Sequence, residues 1–276
     1  MFSPLEDPGP SFADLLRRQG FDPPPFEAGS AERLQISHGT TVVALRYADG
    51  VVMAGDRRAT SGNFISHRSI EKVFPADRHS GVAIAGAAGP ATEMVRLFQL
   101  QLEHYEKVEG AQISLEGKAN QLSQMVRNHL PAAMQGLAVV PLFAGYDVRR
   151  GSGRLFQYDI TGGRYEESDF AATGSGSLHA STVIKMAFED GQDGDAAIDL
   201  AIQALFQAAD EDSATGGPDL VRGIFPTIAT ITAAGFDRLD DEDVGRRFRA
   251  LVDRMSLPQG DIEGAPGGGV PGGDAS

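Results

Sequence analysis

Strand-forming runs in this chain come in blocks, and the helical stretches between them come in pairs. Residues 40–47 and 51–59 are apolar runs around Asp49-Gly50, a dipeptide that favours a hairpin turn because glycine accepts positive φ. Residues 81–85 read as a further strand. Residues 90–107 then place Met94, Phe98, Leu102 and Tyr105 on one helical face, with Pro90 at the start, and residues 115–130 do the same with Leu115, Leu122, Met125, Val126 and Leu130. Strands resume at 137–146, 154–160 and 170–173, helices at 178–189 and 196–209, and a strand at 227–232 precedes a polar-faced helix at 241–255. A parallel sheet needs strand and helix to alternate. The block order predicts instead an α+β domain in which helices cover sheets.

The first 39 residues have a different character. Pro8, Pro10, Pro23, Pro24 and Pro25 interrupt them, and a short helical candidate at 11–19 carries only Phe12, Leu15 and Leu16 as apolar anchors. Such a segment buries little by itself, so it reads either as a disordered tail or as a removable leader. The expected organisation is a leader at 1–39, a catalytic domain at 40–257 and a Gly/Pro-rich tail at 258–276. Asp+Glu 38 against Lys+Arg 24 gives a net charge of -14, which opposes binding to a phosphate backbone. No apolar run approaches the ~20 residues that span a bilayer, and residues 1–10 carry no apolar signal core. The absence of cysteine removes disulfides and thiolate metal sites and suits a reducing cytoplasm. The six histidines lack metal-ligand spacing, so no metal and no cofactor is expected. Asp190, Asp193 and Asp195 lack the glutamate of a calcium loop and read as a polar interhelical turn.

Several short segments can carry chemistry, and each has an ordinary reading beside it. Gly39-Thr40-Thr41 can simply begin a strand, since threonine favours strands. If the bond before Thr40 is cut, however, one residue carries both a nucleophilic hydroxyl and a free α-amine to act as its base. Lys72 reads as a solvated strand lysine, and Asp56 as a turn residue or a partner of Arg57 or Arg58. Gly174-Ser175-Gly176-Ser177 reads as a helix cap with Ser177 at the cap position; it is neither a phosphate-binding loop nor a Gly-x-Ser-x-Gly elbow. The stretch from Asp212 to Gly217 reads as a helix stop and turn.

Taken in order, these pieces form a specific set. Residues 39–45 (GTTVVAL), 55–60 (GDRRAT), Lys72, 83–88 (AIAGAA), 174–177 (GSGS) and 212–217 (DSATGG) closely resemble the β-subunits of the 20S proteasome, the actinobacterial type above all. The resemblance extends from Gly39 to about Thr232 and also takes in residues 125–127, 132–137 and 218–223.

That resemblance implies a four-layer αββα sandwich, the fold of the N-terminal nucleophile hydrolases. It implies a threonine-type endopeptidase whose leader is removed autocatalytically between Gly39 and Thr40, leaving Thr40 as nucleophile and its own α-amine as proton acceptor. A free α-amine has a pKa of about 7.7–8.0, already suited to base work near neutrality. Lys72 matches the lysine beside the nucleophile, and Asp56 the carboxylate that orients it. Ser175 and Asp212 match the groups that hold the threonine amine; Thr215 stands where many relatives have serine and keeps the hydroxyl. The Gly86 N–H matches the oxyanion donor. Ala59, Thr60, Ile70, Phe74, Ile84 and Ala88 match the pocket for the residue before the cut bond, whose apolar walls favour large hydrophobic residues; Ile84 reads equally as sheet core.

The resemblance further implies seven-membered rings of β-subunits stacked in pairs and capped by rings of α-subunits. It also implies an ATP-dependent ring unfoldase that delivers unfolded proteins, some tagged by a ubiquitin-like protein, to a closed cytoplasmic chamber. Two rivals stay in view. The simpler two-ring bacterial protease usually has Gly-Gln where this chain has Arg57-Arg58. A catalytically dead ring subunit usually loses the threonine or its lysine, and this chain keeps both.

Overall fold

The strand β1 (Thr41–Tyr47) is buried on both faces, which a sheet with one solvated side does not allow. Its side chains alternate in destination: Val43, Leu45 and Tyr47 pack with a helical layer, whereas Val42 and Ala44 pack with a second sheet. The neighbouring β2 (Gly50–Gly55) does the same, with Val52 and Ala54 on one side and Val51 and Met53 on the other. Pairing of Tyr47 with Gly50 leaves Ala48 and Asp49 as the two-residue turn of the expected hairpin.

A computed structural model describes residues 39–256, all within the compact unit that begins at Ser37. The expected helix at 11–19, most of the expected leader and the expected tail lie outside the described residues. The next strands in chain order are β3 (Ala59–Ser61), β4 (Phe64–His67), β5 (Val73–Asp77) and β6 (Ser80–Gly86). Helices α1 (Ala88–Glu109) and α2 (Leu115–Ala133) follow, then β7 (Val139–Asp147), β8 (Ser152–Tyr158), β9 (Arg164–Glu167) and β10 (Phe170–Gly174). Helices α3 (Ser177–Ala187) and α4 (Gly194–Glu211), strands β11 (Thr227–Thr232) and β12 (Gly235–Arg238), and helix α5 (Asp241–Ser256) complete the order.

Two five-stranded antiparallel sheets result, ordered β10-β1-β2-β11-β12 and β5-β6-β7-β8-β9, with β3 and β4 as a separate ribbon. Three apolar clusters hold the layers together. One joins α3, α4 and α5 to the first sheet, one fills the space between the sheets, and one joins α1 and α2 to the second sheet. The fold is therefore the expected four-layer αββα sandwich.

Packing rather than capping anchors the helices. Along α4, Ile198, Ile202 and Leu205 are buried, each worth about 1.5–3 kcal/mol. The Asp193 cap, whose side chain accepts from the Ala196 N–H at 2.7 Å, adds about 1 kcal/mol. This firm seating matters because the C-terminal end of α4 carries Asp212.

Some boundaries differ from the sequence expectation. The single strand expected at 51–59 breaks after Gly55, where Asp56 turns the chain and accepts the Arg58 N–H at 2.9 Å. Helix α2 continues past Leu130 through Pro131 to Ala133, since a proline near a helix end forfeits only one backbone bond. The cap of α3 is Gly176 rather than Ser177, and no side chain caps that end. Of the three aspartates at 190–195, Asp193 caps α4 and Asp195 pairs with Arg247 across to α5.

Candidate active site

Antiparallel pairing brings three chain segments to the start of β1. Strand β10 runs down one side, with Thr41 opposite Gly174, so the Gly174-Ser175-Gly176 loop meets Thr40, and the Ser175 N–H donates to the Thr40 carbonyl at 2.8 Å. Strand β2 runs down the other, with Val42 opposite Gly55, and delivers Asp56 to Thr41. The close approach on the β10 side requires glycine. Gly174 has φ +105°, and a Cβ there would lie 1.8 Å from the Thr40 carbonyl oxygen.

Asp56 and Lys72 form a sealed ion pair. The Lys72 Nζ donates to Asp56 Oδ1 at 2.7 Å and to the Arg58 carbonyl at 2.6 Å. Oδ1 also accepts the Thr41 N–H at 2.8 Å, while Oδ2 accepts the N–H groups of Arg58 at 2.9 Å and Gly216 at 2.8 Å. A carboxylate with no solvent contact is tolerable only when its lone pairs are so occupied. The ordinary reading of Lys72 as a solvated strand residue is thus overturned: it lies just before β5 and is 5% exposed. Burial, the larger influence, pushes its ammonium below the usual lysine range, and Asp56 restores only part of the loss.

On the other side of Thr40, the Ser175 hydroxyl accepts the Thr40 N–H at 3.3 Å and donates to Asp212 Oδ2. The same carboxylate oxygen accepts from the Thr215 hydroxyl at 2.6 Å, and Oδ1 accepts the Ala214 N–H at 3.1 Å. Burial pushes the Asp212 carboxyl up, yet the bonds from Ser175, Thr215 and Ala214 outweigh it and hold the group below the usual carboxylate range. The expected helix stop is present as well, since Asp212 ends α4 with its N–H on the Ala208 carbonyl.

Thr40 and Lys72 open onto one small cavity of about 30 Å³. Its walls include Ala59, Thr60, Ile70, Phe74, Ile84 and Ala88, all six of the expected pocket residues, together with Gly39 and Gly86. Ile84, read equally as pocket wall and sheet core, is 4% exposed, belongs to the core beneath α1, and lines the cavity. Glu71 and Ala91 were not foreseen. Ala91 lies one helical turn beyond Ala88, a spacing that could have pointed to it. Glu71 pairs with Arg238 on β12, a contact without local signal.

Gly39, the residue before the expected cut, is wedged. Its N–H donates to the Thr60 hydroxyl at 3.4 Å, and a Cβ on it would lie 1.9 Å from Ala214 Cβ. Among the described residues, no group of three or more histidines and carboxylates gathers as a metal site, and no helix is long and apolar enough to cross a membrane.

A family model for "Proteasome subunit" matches residues 36–221. A proteasome subunit beta of Acidimicrobium ferrooxidans is 59% identical over 241 residues, which cover 87% of this chain and 88% of that relative. One from Streptomyces griseus is 58% identical over 228 residues, covering 82% and 81% of the two chains. One from Acidothermus cellulolyticus is 52% identical over 273 residues, covering 95% and 94%.

Proposed function

Because this chain belongs to the proteasome subunit family, as a threonine-type peptidase of the beta kind, we propose that Thr40 is its nucleophile once the Gly39–Thr40 bond is cut. The observation that carries the reading is convergence: the lysine–aspartate pair, the Ser175–Asp212 pair and the apolar cavity all meet at Thr40.

In the uncut chain the Thr40 nitrogen is an amide and cannot accept a proton. Scission begins with attack of the Thr40 hydroxyl on the Gly39 carbonyl, exchanging the amide for an ester that water then hydrolyses. The product amine is the base for every later turnover. It takes the hydroxyl proton as Oγ attacks the scissile carbonyl, the oxyanion turns to the Gly86 N–H, and the leaving amine departs with a proton. The resulting acyl ester is released by water.

Lys72 tunes that base. Burial lowers its proton affinity, and a second cation beside its ammonium is disfavoured. A charge on Lys72 therefore keeps the amine free of a proton and steadies the developing alkoxide. Asp56 holds the lysine in place.

The apolar cavity walls favour large hydrophobic residues before the cut bond. The chain assembles with other proteasome subunits. We place it in stacked seven-membered rings between α-subunit rings in the cytoplasm, fed by an ATP-dependent unfoldase with unfolded proteins, including those carrying a ubiquitin-like tag. Residues 1–39 act as the removable leader, 40–257 as the catalytic domain and 258–276 as a tail.

Intact mass and N-terminal sequencing of the assembled protein test this reading directly. Thr40 is expected as the first residue, with cleavage of a hydrophobic fluorogenic peptide by wild type and none by Thr40→Ala. Turnover by particles that still carry residue 39 would refute it.

A further inference from the structure

Thr41 has no solvent contact, yet its side chain is polar and fully employed. Its hydroxyl accepts the Gly176 N–H at 3.0 Å, an amide at the exposed-donor end of α3, and lies 2.6 Å from the Thr215 hydroxyl, which is also without solvent contact. The direction of that second bond follows from proton counting. A hydroxyl has one proton, and an ionised carboxylate only accepts. Thr215 lies 2.6 Å from Asp212 Oδ2, so its proton is committed there; were it turned to Thr41, two acceptors would face each other across that gap. Thr41 must therefore donate to Thr215.

The same count settles Ser175. Its proton lies on Asp212, so the 3.3 Å contact to the Thr40 nitrogen can only be accepted by Ser175. The longer 3.4 Å approach of Ser175 to the Thr40 carbonyl holds no second proton. A directed chain results: Gly176 N–H to Thr41, Thr41 to Thr215, Thr215 to Asp212, and Ser175 to Asp212 from the opposite side. It ends with an acceptor turned to the Thr40 nitrogen. The Thr41 backbone N–H meanwhile donates to Asp56 Oδ1, the oxygen that Lys72 also uses. Thr41 thus links both halves of the site.

We propose that Thr41 is a positioning residue for the reaction at Thr40: its hydroxyl orients Thr215 and Asp212 so that Ser175 accepts from the Thr40 nitrogen. This rests on the reading of Thr40 as nucleophile. An acceptor for one N–H of the new amine leaves the amine lone pair aimed away from Ser175, free for the hydroxyl proton. The Thr41 hydroxyl bonds Gly176 and Thr215, not the Thr40 hydroxyl or nitrogen. It acts through Thr215.

The test uses the full-length chain in its assembled form and a hydrophobic fluorogenic peptide. Thr41→Val keeps the shape and removes the hydroxyl; it is expected to lower kcat about 10- to 100-fold with KM within about twofold of wild type. Thr41→Ser, which restores the donor, is expected to recover most of that rate. A wild-type kcat in Thr41→Val, or equal loss in Thr41→Ser, overturns the inference, the latter because it would point to packing alone. If Thr41→Val does not fold, Thr41→Ala removes the same hydroxyl while leaving the Thr215–Asp212 bond in place and must show the kcat loss; a wild-type kcat there overturns the inference too. Thr40→Ala in parallel separates the two levels: activity in that variant sinks the nucleophile reading itself, whereas a dead Thr40→Ala beside a fully active Thr41→Val sinks only the role of Thr41.

Discussion

Lys72 Nζ lies 2.7 Å from Asp56 Oδ1, with the lysine side chain 6% and the aspartate side chain 0% exposed. Two opposite charges removed from water this completely survive because three backbone N–H groups complete the shell around Asp56. The pair is therefore a built part of the site, and substitutions on its two sides should act differently.

Lys72→Ala removes one of four donors to Asp56 and, among the described residues, its salt-bridge partner. Folding should persist on the three amides, while peptide turnover falls about 10²- to 10⁴-fold and uncut precursor accumulates. Lys72→Arg should not restore the rate, since a planar guanidinium cannot occupy the place of an ammonium between Asp56 and the Arg58 carbonyl. Steady-state kinetics with intact mass reads both; full activity in Lys72→Ala would remove the lysine from the mechanism.

Gly39→Ala should stall the removal of the leader, because its Cβ collides with Ala214. Combining it with Ala214→Gly relieves the contact at 1.9 Å but not those to the Ala214 Cα and carbonyl oxygen, both at 2.5 Å, so only partial recovery is expected. Time-resolved mass spectrometry of the uncut chain follows it. Normal processing in the single variant would mean that the cut proceeds from another backbone arrangement.

The acid limb of stability should depend on Asp212. Its folded pKa is depressed, so the unfolded state takes up protons first as pH falls. The stabilisation is present above the unfolded value of about 3.9 and is lost as pH drops through the lower folded value. Asp212→Asn should flatten the fall of Tm with pH in that window. A slope unchanged from wild type would show that Asp212 is not held below its ordinary range.

Ala88→Leu should fill the 30 Å³ cavity and reverse the size preference. Cleavage after leucine or phenylalanine is expected to fall relative to cleavage after alanine by roughly 10- to 200-fold in kcat/KM. An unchanged ratio across a peptide panel would mean that this cavity is not where the preceding side chain binds.

The helices and the long strands were legible in the chain itself, because their signals are local. The stripes of α1, α2 and α4 repeat over several turns, and β1 and β2 are apolar along nearly their whole length. Strands β4, β9 and β12 have four residues each and are mostly or partly exposed, too short for a period to stand out. Thr40, Asp56 and Lys72 were found as an ordered set resembling a family, and each taken alone has an ordinary reading. Burial of Lys72, the place of Glu71 in the cavity wall and the partners of the Thr41 hydroxyl were decided only by folding. Each depends on groups distant along the chain: Asp56 for Lys72, Arg238 for Glu71, Thr215 and Gly176 for Thr41. A strand threonine and a threonine that aligns a proton acceptor have the same local sequence. What separates them is the pairing of β10 beside β1 and the seating of the end of α4 at the start of β1, which exist only once that sheet and its helical layer have formed.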